Sequence, residues 1–218
     1  TFTITVANTN DAPTVANAIS DASTDEDAAY SLSISNVFTD EDSGDSCTYS
    51  MSGAPSTITL SGTTISGTPV NADVGTHTIV VTCTDGSSAS VSDSYVLTVA
   101  NTNDAPTVAS PIADVSTAED ASFSLDVTSS FTDVDSGDTL TYTMSGAPTA
   151  LSISSGTITG SPVNADVGDH SIVVTATDGS NAAVSDTFVL TVTNTNDAPT
   201  IDSTADTTAE EDEAYSYT

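Results

Sequence analysis

Carboxylates cluster twice in this chain with the same spacing. One cluster lies in Phe-Thr-Asp-Glu-Asp-Ser-Gly-Asp at residues 38–45, and the other in Phe-Thr-Asp-Val-Asp-Ser-Gly-Asp at residues 131–138. Carboxylates two residues apart in an extended loop can converge on one hard cation, and Ca²⁺ takes six to eight oxygen ligands. Without a cation the same groups repel one another. An EF-hand is excluded because its fifth position would be Gly44 and its twelfth Met51, so further ligands must come from elsewhere.

A second group of oxygen donors recurs between these clusters. Asn-Thr-Asn-Asp-Ala-Pro-Thr occupies residues 8–14, 101–107 and 194–200, always 93 residues apart. The motif predicts an extended connector, because the residue before a proline disfavours the helical conformation. Aligned without a gap, the two stretches that begin at the first two connectors are identical at 60 of 93 positions, which indicates duplication. We expect the last strand of a preceding repeat at 1–7, complete repeats at 8–100 and 101–193, and the start of a following repeat at 194–218.

The elements that carry these motifs are predicted to be β-strands. Apolar residues alternate with Ser and Thr in each repeat, and Gly, Pro, Asn and Asp mark turns every 8 to 12 residues. About seven short strands in a repeat of this length predict an all-β fold of tandem immunoglobulin-like Greek-key β-sandwiches. In the second repeat the expected strands lie near residues 108, 123–127, 140–144, 151–153, 157–159, 172–176 and 188–192.

The chain is strongly acidic. It has 31 Asp and Glu residues and no Lys or Arg, which gives a formal net charge of −31. Such a surface cannot neutralise itself with salt bridges, so folding must tolerate repulsion or recruit cations. Binding to nucleic-acid phosphates is excluded. Hydrophobic residues make up 37% in alternating runs, which favours a folded chain over a disordered one. No apolar run approaches 18 residues, so no membrane insertion is predicted in this stretch.

The only two cysteines occur in the first repeat. Cys47 and Cys83 occupy the positions of Leu140 and Ala176 in the second repeat, so both are replaced together. We predict a disulfide across the core. Closing this loop would stabilise the folded state by about 3–4 kcal/mol. Two buried free thiols are the alternative. A disulfide would indicate an oxidising compartment.

Together the motifs resemble a cadherin repeat, closest to the bacterial cadherin-like and dystroglycan-type variant. The cadherin linker resembles residues 101–106, its Asp-x-Asp-x-Gly loop resembles residues 133–137, and its Ala-x-Asp-x-Gly element resembles residues 176–179. Glu26 and Glu119 resemble the glutamate that occurs early in a cadherin repeat. The resemblance covers nearly the whole chain and implies that Ca²⁺ binds at the joints between repeats.

One motif departs from the cadherin pattern. Where cadherins carry Leu-Asp-Arg-Glu, this chain has Pro-Val-Asn-Ala-Asp-Val-Gly at 69–75 and 162–168, a form familiar from the dystroglycan-type branch. For the complete joint the resemblance implies metal ligands from Glu26, Asp27, Asp73, Asn101, Asn103, Asp104, Asp133, Asp135, Asp138 and Asp178. For the two partial joints it implies Asn8, Asn10, Asp11, Asp40, Asp42, Asp45 and Asp85 in the first, and Glu119, Asp166, Asn194, Asn196 and Asp197 in the last.

Enzymatic chemistry is not predicted. His77 and His170 are equivalent and fall at the edge of the expected core. Paired acids could serve a glycosidase, but here they repeat in every module at turns, and the chain has no Arg or Trp to bind sugar. No Ser, His and Asp arrangement suggests a triad.

The predicted function is therefore structural. We expect a secreted or surface-attached rod of Ca²⁺-stiffened repeats, acting as an adhesin stalk, extender or surface fibre, whose first partners are neighbouring repeats of the same chain. A glycan-binding module that uses exposed loops or strands is the alternative. A third possibility is self-assembly with other copies into a filament, with calcium bridging acidic faces.

Overall fold

A computed structural model of the chain describes residues 1–42, 44, 46–201, 208, 211–212 and 214. The predicted all-β class is confirmed, because the regular structure of these residues consists of strands and three short 3₁₀ turns. No described helix has the length and apolar character needed to cross a membrane. By its contacts the chain divides into two compact units. The first comprises residues 1–107, 132–140 and 177–183, and the second comprises residues 108–131, 141–176 and 184–218.

The described residues of the first repeat form nine strands and one 3₁₀ turn at Asn71–Asp73. The strands are β1 (Thr14–Val15), β2 (Ala22–Asp25), β3 (Tyr30–Ser33), β4 (Phe38–Thr39), β5 (Thr48–Ser52), β6 (Ile58–Ser61), β7 (Thr64–Gly67), β8 (Gly75–Thr84) and β9 (Ser90–Ala100).

The second repeat reproduces this order, with 3₁₀ turns at Thr128–Ser130 and Asn164–Asp166. Its strands are β10 (Thr107–Val108), β11 (Val115–Ala118), β12 (Phe123–Asp126), β13 (Phe131–Thr132), β14 (Thr141–Ser145), β15 (Leu151–Ser154), β16 (Thr157–Gly160), β17 (Gly168–Thr177) and β18 (Ala183–Thr193).

Each repeat forms the same three sheets. In the first, β2-β9-β8-β5 make a four-stranded sheet, β3-β7-β6 a three-stranded sheet, and β1-β4 a short antiparallel pair. The second repeat has β11-β18-β17-β14, β12-β16-β15 and β10-β13. The short strand β2 runs parallel to β9, pairing Ala22 with Leu97 and Asp25 with Ala100. This pairing places the residue that follows β2 beside the end of β9, where the linker begins.

The core lies between the four-stranded and three-stranded sheets. In the first repeat, alternate residues of β8 and β9 are buried against residues of β3, β6 and β7, as the period-two pattern predicts. The buried residues of β8 and β9 are Ile79, Val81, Cys83, Tyr95, Leu97 and Val99. Their equivalents in the second repeat are also buried, namely Ile172, Val174, Ala176, Phe188, Leu190 and Val192.

A buried tyrosine pair distinguishes the two cores. The hydroxyl of Tyr30 donates to the hydroxyl of Tyr95 at 3.3 Å. Burial, followed by the bond to Tyr30, raises the pKa of Tyr95. The second repeat has Phe123 and Phe188 at these positions, so it loses both hydroxyls together. The pair therefore follows the rule that a buried polar group keeps its partner.

The disulfide is present, but it does not cross the core between the sheets. Cys47 and Cys83 are bonded, with their Cα atoms 5.2 Å apart. Strands β5 and β8 are neighbours in one sheet, where Tyr49 pairs with Cys83. The bond therefore joins the approach to β5 with the end of β8 within the four-stranded sheet. Sequence alone placed both residues on inward faces, but it did not show that their strands are adjacent.

Two carboxylates hold the segment before β2 against β9. The Ile19 N–H donates to Asp93 Oδ2 at 2.6 Å, and the Val96 N–H donates to Asp21 Oδ1 at 2.8 Å. The second repeat repeats both contacts, from Ile112 to Asp186 and from Val189 to Asp114. These acids have a structural role, because they satisfy backbone donors that the short parallel strand leaves unpaired.

Candidate metal centre

Glu26 is fixed at the start of the candidate site by backbone contacts on both sides. Its N–H donates to the carbonyl of Ala100 at 2.9 Å, which continues the β2–β9 pairing. The next residue, Asp27, has a left-handed backbone with φ of 58° and donates its N–H to Pro69 O at 2.8 Å. Asp27 is exposed. The chain thus turns sharply after Glu26, and the glutamate side chain faces the linker.

The carboxylate of Glu26 is half satisfied. Its Oε1 accepts the Thr102 N–H at 2.7 Å, which ties the linker to the first repeat. Its Oε2 is buried and has no hydrogen-bond partner among the described residues, although Glu26 is only 2% exposed. A buried ionised oxygen without a partner is strongly unfavourable. A positively charged group beside this oxygen would remove that cost.

Two further carboxylates meet Glu26. Oxygen atoms of Glu26, Asp104 and Asp135 lie within 4.8 Å of one another. Asp104 comes from the linker, and its N–H donates to Asp135 Oδ2 at 2.8 Å. Asp135 is only 8% exposed. All three residues belong to the first compact unit. This arrangement brings three chain segments to one point.

A second acidic group shares Asp135 with the first. Oxygen atoms of Asp133, Asp135 and Asp138 also lie within 4.8 Å of one another. Asp133 Oδ1 accepts the Asp135 N–H at 2.9 Å, which folds the loop after β13 into a compact turn. Asp133 Oδ2 is buried without a partner among the described residues. Desolvation, together with the charges of Asp133, Asp135 and Asp178, raises the pKa of Asp138, so the loop is electrostatically crowded.

Asp178 follows β17 and contacts the linker through Asn103. Its Oδ1 accepts the N–H groups of Ser180 and Ala182 at 2.9 and 2.8 Å, and its Oδ2 accepts the Asn103 amide at 3.0 Å. Asn103 and these backbone donors hold the pKa of Asp178 below its ordinary value. The residue is 4% exposed and charged, so it anchors the linker asparagine to the loop that follows β17.

The first linker has the same local contacts. Asn8 Nδ2 and the Asp11 N–H donate to the two oxygens of Asp42, both at 2.7 Å, and Asn10 Nδ2 donates to Asp85 at 3.0 Å. Asp40 accepts the Asp42 N–H at 2.9 Å, and its Oδ2 is buried without a partner among the described residues. Asp45 lies outside the described residues.

At the third linker, Glu119 bonds the linker backbone as Glu26 does at the second. Glu119 Oε1 accepts the Thr195 N–H at 2.6 Å, and its buried Oε2 again has no partner in the described part of the chain. Asn194 and Asn196 are exposed and bond backbone carbonyls of the linker itself, those of Thr195 and Asp197.

Several predicted ligands are not in the two acidic groups. Asp27 and Asn101 are exposed. Asp73 Oδ2 accepts Thr57 Oγ1 at 2.6 Å and the Val70 N–H at 3.1 Å, and these bonds, Thr57 first, lower its pKa. Asp166 accepts the Val163 N–H at 2.9 Å in the same way. Their assignment as ligands stays a prediction.

One residue that touches the site was not predicted. Asn71 Nδ2 donates to Asp135 Oδ1 at 3.0 Å. Its equivalent Asn164 donates to Asp197 Oδ2 at 3.2 Å. The available signal was the departure of the Pro-Val-Asn-Ala-Asp motif from the cadherin pattern, because it places an amide two residues before the expected carboxylate.

The donor set fits a hard divalent cation. The clustered groups offer only oxygen atoms, which suit Ca²⁺ or Mg²⁺ rather than Zn²⁺. Ligand oxygens on one Ca²⁺ lie at about 2.3–2.6 Å from the ion, so separations up to 4.8 Å can be spanned. Each histidine ring instead bonds a local carbonyl, His77 to Asp73 at 2.7 Å and His170 to Asp166 at 2.6 Å.

The paired sheets and the core within each repeat define tandem immunoglobulin-like β-sandwich domains. A family described as "Putative Ig domain" matches residues 12–100 and again residues 105–193. The chain belongs to this family of immunoglobulin-like domains. No curated protein matches the chain.

Solved structures share the fold at low sequence identity. Mouse cadherin-23 EC22-24 is 21% identical with a TM-score of 0.60, over 84% of this chain and 65% of that one. Human mucin-like protocadherin EC1-2 is 17% identical with a TM-score of 0.60, over 84% and 98%. An endo-fucoidan hydrolase of glycoside hydrolase family 107 is 24% identical over 85% of this chain, but at a TM-score of 0.41 it supports no argument. The chain spans only 29% of that hydrolase.

Proposed function

We propose that this chain is part of an extracellular tandem-repeat protein that binds Ca²⁺ at its linkers and serves as an adhesin stalk, extender or surface fibre. The observation that carries the proposal is the buried, partnerless Oε2 of Glu26 beside Asp104 and Asp135.

The charge balance explains why a cation from solution is needed. Burying one unpaired carboxylate is already costly, and three that approach within 4.8 Å also repel one another. The chain has no Lys or Arg to neutralise them. A protein cation is therefore not available at this site, and a divalent ion would remove both penalties at once.

The chemistry of the donors favours Ca²⁺ over Mg²⁺. Ca²⁺ accepts six to eight oxygens in flexible geometry, whereas Mg²⁺ demands a near-ideal octahedron and retains several waters. Carboxylates of Glu26, Asp104, Asp133, Asp135 and Asp138 would hold the metal, with linker carbonyls as additional donors. Asp135 belongs to both acidic groups, so its carboxylate would be available to a cation held by either group.

Binding at this position would couple metal affinity to linker order. The ligands come from the turn after β2, from the linker, and from the loop after β13, so a cation would cross-link three segments. A ligand at 100 times its Kd stabilises the state that binds it by about 2.7 kcal/mol. That energy would oppose any motion that separates the segments, and the linker would become stiffer.

The disulfide supports an extracellular location. Cys47 and Cys83 are bonded, and such bonds persist in oxidising environments. Millimolar Ca²⁺ outside cells would also keep weak sites loaded, because extracellular calcium modules work at Kd values of about 10⁻⁴ to 10⁻³ M.

Calorimetric titration of the metal-free 218-residue chain with CaCl₂ in about 0.15 M NaCl would test the proposal, since salt at this level screens exposed charge beyond about 8 Å. We expect saturable binding with a defined stoichiometry that equal concentrations of MgCl₂ do not reproduce. Heats that are equal for both ions and never saturate would mean that calcium only screens the acidic surface. The glycan-binding alternative stays a prediction without a described feature that specifically favours it.

A further inference from the structure

The Pro-Val-Asn-Ala-Asp motif folds into a 3₁₀ turn that uses Asp73 internally. Asp73 Oδ2 accepts bonds from Thr57 Oγ1 at 2.6 Å and from the Val70 N–H at 3.1 Å, and the Asp73 carbonyl accepts from His77 at 2.7 Å. These contacts fix the turn to its own repeat. The second repeat conserves the bond from Val163 to Asp166 and the bond from His170 to the Asp166 carbonyl.

Asn71 of the same turn reaches the linker cluster instead. Its Nδ2 donates to Asp135 Oδ1 at 3.0 Å, while the other oxygen of Asp135 accepts the Asp104 N–H. Asp135 is thereby held from two sides, by the first repeat and by the linker. Because Asp135 is common to both acidic groups, Asn71 touches the carboxylate on which both depend.

Asparagine amides also bond carboxylates at the other two linkers, although the donor or the acceptor differs. At the first linker, the equivalent oxygen of Asp42 accepts an amide from Asn8 at 2.7 Å. At the third linker, Asn164, the equivalent of Asn71, donates to Asp197 at 3.2 Å, and Asp197 is the linker residue that corresponds to Asp104 rather than to Asp135. The amide of this turn therefore bonds a carboxylate at the linker in both repeats, but the carboxylate differs.

We propose that Asn71, rather than Asp73, is the residue that this turn contributes to the metal site, as a positioning residue for Asp135. The inference rests on the proposed function. A hydrogen bond from a neighbouring side chain fixes the orientation of a ligating carboxylate and tunes its affinity for the ion. An amide also adds no charge, so it orients Asp135 without increasing the repulsion among Glu26, Asp104 and Asp135.

Three substitutions in the 218-residue chain distinguish the role of Asn71 from that of Asp73. Each variant is melted in EDTA and in 5 mM CaCl₂, and its Ca²⁺ affinity is measured by calorimetric titration. Asn71→Ala should weaken Ca²⁺ binding about tenfold, because a bond that orients a metal-binding carboxylate is lost, and it should leave the melting temperature in EDTA nearly unchanged. Asn71→Asp should lower the EDTA melting temperature, because it repels Asp135, and should enlarge the rise on adding calcium. Asp73→Ala should lower both melting temperatures equally.

Two controls keep the test decisive. Asn164→Ala is the matched substitution in the second repeat; because Asn164 bonds Asp197, it should leave the calcium affinity of Glu26, Asp104 and Asp135 unchanged. Thr57→Val removes one bond to Asp73 more gently, in case Asp73→Ala fails to fold, and it should also preserve the calcium response.

The outcomes distinguish this inference from the proposed function. If the wild-type chain shows no calcium response, the proposed function fails and the inference fails with it. If the wild-type chain responds, Asn71→Ala responds equally, and Asp73→Ala or Thr57→Val loses the response, only the inference is overturned.

Discussion

Single carboxylates in this chain differ in what holds their oxygens. Asp21 and Asp93 accept backbone N–H groups at 2.8 and 2.6 Å and serve the fold. Glu26 gives one oxygen to Thr102 and leaves the other buried without a partner in the described chain. Residue type alone does not distinguish these acids. The hydrogen-bond partner of each carboxylate oxygen distinguishes an acid that stabilises the fold from a candidate metal ligand.

Glu26→Gln tests the candidate ligand directly. Removing this charge should relieve repulsion, so the melting temperature in EDTA should rise by a few degrees, as about 1 kcal/mol would produce. The same change should weaken Ca²⁺ binding at least tenfold in a calorimetric titration, because a carboxylate ligand is lost.

Glu211→Gln is the matched control, since Glu211 is exposed and the substitution removes the same charge. It should change neither quantity beyond error. Equal effects of the two substitutions would show that net charge, and not a built site, governs the calcium response.

The buried tyrosine pair gives a prediction that is independent of metal. Tyr30→Phe leaves the hydroxyl of Tyr95 buried without its partner, so unfolding free energy should fall by about 1–2 kcal/mol. The double change Tyr30→Phe with Tyr95→Phe reproduces the pair of the second repeat and should recover most of the loss. Denaturant unfolding in a double-mutant cycle measures the coupling; a coupling near zero would contradict a hydrogen-bonded pair.

At the scale of elements, the disulfide ties β5 to its neighbour β8 rather than one sheet to the other. It still closes the loop from Cys47 to Cys83, so the entropic stabilisation remains roughly 4 kcal/mol. Cys47 follows the loop that carries Asp42, and Cys83 precedes Asp85, so we expect the bond also to restrain the segments that contact the first linker.

Reduction should therefore destabilise the first repeat selectively. We expect a reductant to lower one unfolding transition and to leave the transition of the second repeat, which has Leu140 and Ala176, in place. The variant Cys47→Leu with Cys83→Ala copies that pair and should not respond to reductant. Circular dichroism melts with and without reductant check this, and an equal loss in both repeats would contradict it.

Strand alternation explains how much could be predicted from sequence. Residues 172–176 and 188–192 alternate cleanly, and the structure buries Ile172, Val174, Phe188 and Leu190 as that pattern requires. The orientation of the short turn at Asn71–Asp73 could not be predicted this way. The orientation depends on whether Asn71 or Asp73 bonds Thr57. That contact is with Asp73, and it joins residues 16 positions apart in the chain.

The acidic loops show the same limit within the site. Their composition indicated a cation, and Glu26, Asp104 and Asp135 do meet. That Asp135 is common to two groups depends on a bend held by the Asp133–Asp135 bond, which is a three-dimensional property. Sequence therefore identified the chemistry but not the arrangement of the ligands.

For the whole molecule, the dominant fact is a charge of −31 without a single Lys or Arg. Self-repulsion of that size opposes compact states, and it is relieved by cations from solution. The linker motif recurs every 93 residues, so under the proposed function a longer array would carry calcium sites at that interval. A stalk of this kind would be stiff only where calcium is abundant.

The most direct test compares the 218-residue chain in millimolar Ca²⁺ and in EDTA by calorimetry and small-angle X-ray scattering. We predict a melting temperature that is higher by several degrees with calcium, as a few kcal/mol of linked binding energy would produce, together with a scattering profile of a stiffer particle. Glu26→Gln should reduce both effects. A melting temperature and scattering profile that are the same in both solutions would contradict calcium binding at the linkers as the basis of this protein's function.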